Sequence, residues 1–150
     1  MFKHILVPTD GSALSQEAVT RAISFAKEAG ARITFLSAEH RLPGISYGMG
    51  AIFNAHAAAE FHEREDSAAH AILDAAEKLA QEAGVECSKV ALISEEPYES
   101  IIDAANQNDC DLIFMASHGK RGLKALLLGS ETQKVLTHST IPVLVYRTPG

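Results

Sequence analysis

The chain has 150 residues, enough for one domain with a substantial core, and its 47% hydrophobic and 21% charged content excludes intrinsic disorder, collagen-like repeats and a disulfide-dense miniprotein. With no Trp and 6% aromatic residues, the core has to be built mainly from Ala, Leu, Ile and Val. A net charge of −6 argues against a nucleic-acid coat, which needs a positive footprint, so any polyanionic ligand must be held by a local arrangement of donors.

Along the chain, strand-like and helix-like patterns alternate. Ile5-Leu6-Val7 is an unbroken apolar run ending at Pro8, as expected of a strand buried on both faces. From Ser12 to Ala29, Ala18, Ala22, Phe25, Ala26 and Ala29 recur at helical spacing, and Gly30 follows as a C-terminal cap. Arg32 to Ala38 predicts a second strand, and the glycine-rich, aperiodic residues 41–55 predict a loop. Phe61, Ala68, Ile72, Ala75, Leu79 and Ala83 mark a long amphipathic helix over about 58–83, closed by Gly84. A third strand follows over about 85–93, and Pro97 suits the first turn of a helix carrying Ile101, Ile102 and Ala105. Leu112 to Ala116 predicts a fourth strand, Ser117 to Gly129 a glycine-punctuated connection, and Ser130 to about His138 a last helix. Ile141 to Tyr146 is the fifth strand.

Strands alternating with helices of this length need right-handed crossovers, which cover both faces of a parallel sheet. The expected fold class is therefore α/β: a three-layer sandwich, one domain over 1–150, with helices on both faces and no internal repeat. Cys87 and Cys110 have neither CxxC nor metal-ligand spacing and read as reduced structural thiols. No apolar window is long enough for a signal peptide or a membrane span, so a cytoplasmic location with no membrane partner is expected.

Ligands of an open parallel sheet bind beyond the carboxyl ends of its strands, where strand order reverses. Two segments belong there: Val7-Pro8-Thr9-Asp10-Gly11-Ser12 after strand one, and Met115-Ala116-Ser117-His118-Gly119 after strand four, followed by Gly122 and Gly129-Ser130. The second connection is longer than a strand-to-helix turn requires, and such surplus points to function. Its glycines let backbone N–H groups approach a ligand, and the following helix start presents unpaired donors at a positive dipole end. Lys120, Arg121 and Lys124 add cations, so the segment favours an anion. The plainer reading is that the glycines are turn residues and Ser130 an N-cap, in a capping box with Gln133. Asp10 likewise can be a turn residue accepting N–H bonds from the backbone that follows.

Neither GxGxxG after strand one nor GxxxxGKS/T is present. His118 reads as a half-exposed loop residue rather than an acid or base. The spacing of His56, His62 and His70 lacks the i, i+4 step of a metal pair, and GxSxG is absent, so no catalytic residue and no metal site are assigned.

Pro8-Thr9-Asp10-Gly11-Ser12, Ser117-His118-Gly119 after strand four, the Gly129-Ser130 pair and the closing IPVLVY together resemble the universal stress protein family over almost the whole chain. The resemblance implies a five-stranded sheet of order 3-2-1-4-5. The family's nucleotide signature, G-x2-G-x9-G-S/T, matches at Gly119 and at Gly129-Ser130, with Ala116 in place of its first glycine. Members with the full signature bind ATP and others bind no nucleotide. A glycine required for positive φ would make Ala116 strained by roughly 1–2 kcal/mol, whereas strand-like angles would only narrow the pocket by a methyl group.

The resemblance thus implies a cytoplasmic stress-response module binding ATP or AMP, with Mg2+ carried by the phosphates. Its nucleotide site would comprise Pro8, Thr9, Asp10, Ala38, Met115, Ala116, Ser117, His118, Gly119, Arg121, Gly122, Gly129, Ser130, Glu131 and Thr132. Asp10 would take the ribose hydroxyls and the Ala38 backbone the adenine. Glu131, in the first turn of the last helix, would repel a triphosphate unless turned outward. The family also implies a homodimer through the C-terminal strand (Ile141, Val143, Val145), an open hydrophobic edge that invites pairing. Two other functions stay open: a nucleotide-free dimer acting by protein contacts, and a weak ATPase, for which a nucleophile or metal-carboxylate pair would have to come from Asp10 and Glu39.

Overall fold

The computed structural model describes residues 1–40, 51–119 and 127–148. The elements are β1 (His4–Pro8), α1 (Ala13–Ala29), β2 (Arg32–His40), α2 (Ala51–Ala83), β3 (Cys87–Ser94), α3 (Pro97–Gln107), β4 (Leu112–Ala116), α4 (Ser130–His138) and β5 (Val143–Tyr146). The strands form one sheet of order β3-β2-β1-β4-β5, parallel at every pairing. Fold class and strand order are those expected.

Strand side chains alternate between faces, and each face has its own core. Ile5, Val7, Ile33, Phe35, Leu112 and Phe114 pack with Ala18, Ala22 and Ala26 of α1 and Leu73, Ala76 and Ala80 of α2. Leu6, Leu36, Ile113 and Met115 pack on the opposite face with Ile101, Ala104 and Ala105 of α3 and Val135 of α4. The many alanines let both helix layers lie close to the sheet. Leu6 and Phe35 are wholly buried, so truncating either to Ala should cost roughly 2–5 kcal/mol.

Helix ends follow local chemistry. The Ser12 side chain accepts from the Ser15 N–H to open α1, and Gly30 in the left-handed region closes it by donating to the Ala26 carbonyl. Gly84 ends α2 in the same way, with the Val85 N–H donating to the Ala80 carbonyl at 2.9 Å. That closing turn delays β3 to Cys87 rather than Val85.

Three further expectations are corrected. Part of the predicted 41–55 loop is helical, because α2 begins at Ala51. Ala51, Ala55, Ala57, Ala58 and Ala59 favour helix by backbone propensity, without the apolar stripe that periodicity detects. Residues 41–50 lie outside the described residues. Strand β5 begins at Val143, not Ile141: Pro142 has no N–H to donate, and Ile141 instead donates its N–H to Ser139 Oγ at 3.0 Å. Finally, Gly129 and not Ser130 is the N-cap of α4, and Gln133 donates its side-chain N–H to the Leu128 carbonyl, so the capping box does not form.

Both cysteines are free, Cys87 half-buried and Cys110 buried. Burial pushes the Cys110 thiol up to about 11 and also raises that of Cys87, which leaves both unreactive near neutral pH.

Candidate functional site

Strand β1 connects through α1 to β2 on one side and pairs with β4 on the other, so order reverses between β1 and β4. A crevice belongs beyond their carboxyl ends. The turn leaving β1 is held from below by Gly11, whose φ of +78° excludes most side chains. A Cβ there would also stand 2.6 Å from Ile72 Cδ1 of α2.

Asp10 leaves this turn toward β4. Its Oδ1 accepts the Ser12 N–H at 2.9 Å, so the turn-residue reading is correct as far as it goes. Its Oδ2 faces Gly119, and a Cβ at Gly119 would land on that carboxylate oxygen. The two separated segments therefore meet, backbone against carboxylate, and glycine at 119 is what permits the approach.

The β4 side is tied together by backbone. Ser117 donates its N–H to the Tyr146 carbonyl at 2.9 Å and accepts the Gly129 N–H at 2.7 Å, bringing both ends of the long connection together. A Cβ on Gly129 would sit 3.2 Å from His118 Cα and 3.3 Å from the Ser117 carbonyl oxygen, a tight fit on backbone. Thr132 donates its hydroxyl to the Ala116 carbonyl at 3.1 Å, fastening the first turn of α4 to the end of β4. Gly129 has no side chain to cap α4, so among the described residues the positive end of the helix carries no side-chain cap. Ala116 lies within β4 and its φ is not positive, so the methyl group there introduces no backbone strain.

The structure thus joins Asp10 to Gly119, Ser117 to Gly129 and Ala116 to Thr132. Other expected residues lie nearby with side chains turned inward. The Thr9 hydroxyl is buried 3.1 Å from Ser15 Oγ, and Met115 packs in the core under α3 and α4. Pro8 and Ala38 are half-buried at the ends of β1 and in β2, where backbone is what they can offer. Ser130 is exposed, and His118 is half-buried with Nδ1 3.5 Å from the Gly119 carbonyl. Glu131 is turned away: its Oε2 accepts the Tyr98 N–H of α3 at 2.8 Å. No sequence motif points to that contact. Lys120, Arg121, Gly122 and Lys124 lie outside the described residues, as does the side chain of Glu39.

Comparison with known proteins decides the family. The sequence profile of the universal stress protein family matches residues 1–147. The chain belongs to the universal stress protein family. A universal stress protein of Methanocaldococcus jannaschii is 33% identical, over 99% of this chain and 84% of its own length. Among solved structures, a hypothetical protein whose biochemical function was assigned from its structure superposes with a TM-score of 0.82, at 26% identity, covering 100% of this chain and 99% of that one. A universal stress protein in complex with cAMP shares the fold with a TM-score of 0.72, at 23% identity, and covers 99% of each chain. One from Archaeoglobus fulgidus in complex with dAMP does so at 0.60, with 19% identity and 97% coverage of each. Within the described residues of this universal stress protein, no helix is long and apolar enough to cross a membrane.

Proposed function

We propose that this universal stress protein binds an adenine nucleotide, ATP or AMP, in the crevice between the ends of β1 and β4, and works as a regulatory module rather than an enzyme. One observation carries the reading: Gly119 lies against the Asp10 carboxylate, beside a helix start left without a side-chain cap. A carboxylate at that point suits ribose hydroxyls, and the α4 amides with the Ser130 hydroxyl suit phosphate. Two proteins of this fold were solved with adenine nucleotides, cAMP and dAMP. Any Mg2+ would arrive on the phosphate oxygens. Two free thiols are consistent with a reducing, cytoplasmic setting.

The same reading takes the working unit as a homodimer through β5. Val143 to Tyr146 form an edge strand of half-buried residues, and Ile141 and Val143 extend the α3–α4 core toward that edge. Calorimetric titration with ATP, AMP and cAMP at fixed Mg2+ tests the ligand. Binding of none of them at millimolar concentration rejects the nucleotide and leaves a nucleotide-free dimer. Sedimentation tests the association: the parent chain should be a dimer, and Val145→Lys should weaken it by placing like charges across a two-fold axis.

A further inference from the structure

The first turn of α4 carries a carboxylate where the proposed anion would bind. Such a group ordinarily settles against its own helix N-terminus, where it would oppose a phosphate. Glu131 instead reaches across to α3. Its Oε2 accepts the N–H of Tyr98, the second residue of α3, at 2.8 Å, and its Oε1 lies 3.7 Å from Lys134 Nζ. Helix α3 needs that acceptor, because its N-cap residue Glu96 makes no side-chain cap bond. Lys134 lies 3.7 Å from Glu96 and 5.5 Å over the Tyr98 ring, so a cation flanks the strut on the α3 side. Glu131 thus caps one helix while belonging to the first turn of another.

We infer that Glu131 is a positioning residue for the anion site: by capping α3 through the Tyr98 N–H, it keeps its own charge off the first-turn donors of α4 and leaves them to phosphate. The inference rests on the nucleotide reading for its ligand and on the α3–α4 geometry for the strut. It separates side-chain length from charge. Aspartate at 131 is one methylene too short to reach the Tyr98 N–H from the same backbone, and its carboxylate returns to the first turn of α4. Glutamine keeps the length and an acceptor oxygen without the charge.

The test compares the parent chain with Glu131→Asp and Glu131→Gln, each first shown by circular dichroism to keep the parent fold. Amide exchange at Tyr98 is followed without ligand, and ATP and adenosine are titrated separately. Tyr98 should exchange on the order of tenfold faster in Glu131→Asp, and little faster in Glu131→Gln. Affinity for ATP should fall about tenfold in Glu131→Asp and stay within about threefold of the parent in Glu131→Gln, with adenosine unaffected in both. Parent-like ATP binding by Glu131→Asp would overturn the proposal. So would a tenfold gain in Glu131→Gln, which would mean that the parent charge faces the phosphates. A loss shared equally by ATP and adenosine overturns it as well. If the parent binds neither ligand, the nucleotide reading fails and Tyr98 exchange alone decides the strut, unchanged exchange rejecting it. Should Glu131→Asp not keep the fold, Glu131→Ala replaces it in the exchange arm with the same expectation.

Discussion

The two ends of the sheet are built on opposite rules. At the amino ends of the strands, polar groups are tied to one another. The Asp111 carboxylate accepts the N–H groups of Lys3 at 2.9 Å and His4 at 3.1 Å, and the Asp111 N–H returns to the His4 carbonyl at 2.8 Å. Behind them, buried His4 Nε2 lies 2.7 Å from Thr34 Oγ1, which lies 2.9 Å from Ser88 Oγ. At the carboxyl ends, Asp10, Thr9 and Thr132 also hold hydrogen bonds, but Gly119 and Gly129 bring backbone close and among the described residues α4 has no side-chain cap. Hydrogen bonds of this kind stabilise the fold, although buried His4 Nδ1 has no partner among the described residues, and donors without a side-chain cap suit a ligand. The amino end is held by a closed set of hydrogen bonds, and the carboxyl end is where the proposed nucleotide would bind.

The most severe way to break it is Gly119→Val. The new side chain would land on the Asp10 carboxylate and pull apart the contact between the β1 and β4 segments. ATP affinity should fall on the order of a hundredfold or more, about 2.7 kcal/mol, measured by calorimetry, while circular dichroism stays that of the parent. Affinity retained within a few-fold would move the ligand away from this crevice.

The amino end responds to pH instead. Burial holds the His4 imidazole below its ordinary value of 6.5, with Arg32 adding to the effect. As pH falls through 6.5 the unfolded chain takes up the proton first, so the stability contributed by neutral His4 is present above that pH and is lost as pH drops toward the folded value. Urea midpoints between pH 7.5 and 5.5 should therefore fall more steeply for the parent than for His4→Asn, by at most about 1.4 kcal/mol per pH unit. Parallel pH profiles would remove His4 from this account. Nucleotide affinity at fixed pH should be unmoved by the substitution.

The smallest expected effect concerns the carboxyl end. Ala116→Gly completes the family's nucleotide signature, but Ala116 occupies no strained backbone region and its side chain is buried toward the α1–α2 core. ATP affinity should stay within about threefold of the parent or rise slightly, and stability should fall by about 0.5–1 kcal/mol from the added backbone freedom in β4. A large gain in affinity would mean that the methyl group obstructs the pocket.

Much of this architecture was legible from local pattern. Wholly apolar runs as short as Ile5-Leu6-Val7 and Leu112 to Ala116 suit strands covered on both faces, and the helical spacing of alanines after Ser12 with Gly30 beyond marks a complete α1. The misjudged boundaries are where another local rule prevailed. Alanine propensity extends α2 back to Ala51, Pro142 withholds the N–H that would have started β5 at Ile141, and Gly129 takes the capping position from Ser130.

Periodicity, turn residues and the glycine spacing from 119 to 129 were thus enough to determine the element order and the family, because each depends on neighbours within a few residues. Contacts between distant segments were decided only by the tertiary fold. Asp10 and Gly119 are neighbours because β1 and β4 pair, and Glu131 caps Tyr98 because α3 and α4 share a face of the sheet. A carboxylate has the same charge wherever it lies in the chain; which N–H group it accepts depends on what packing brings within 3 Å of it.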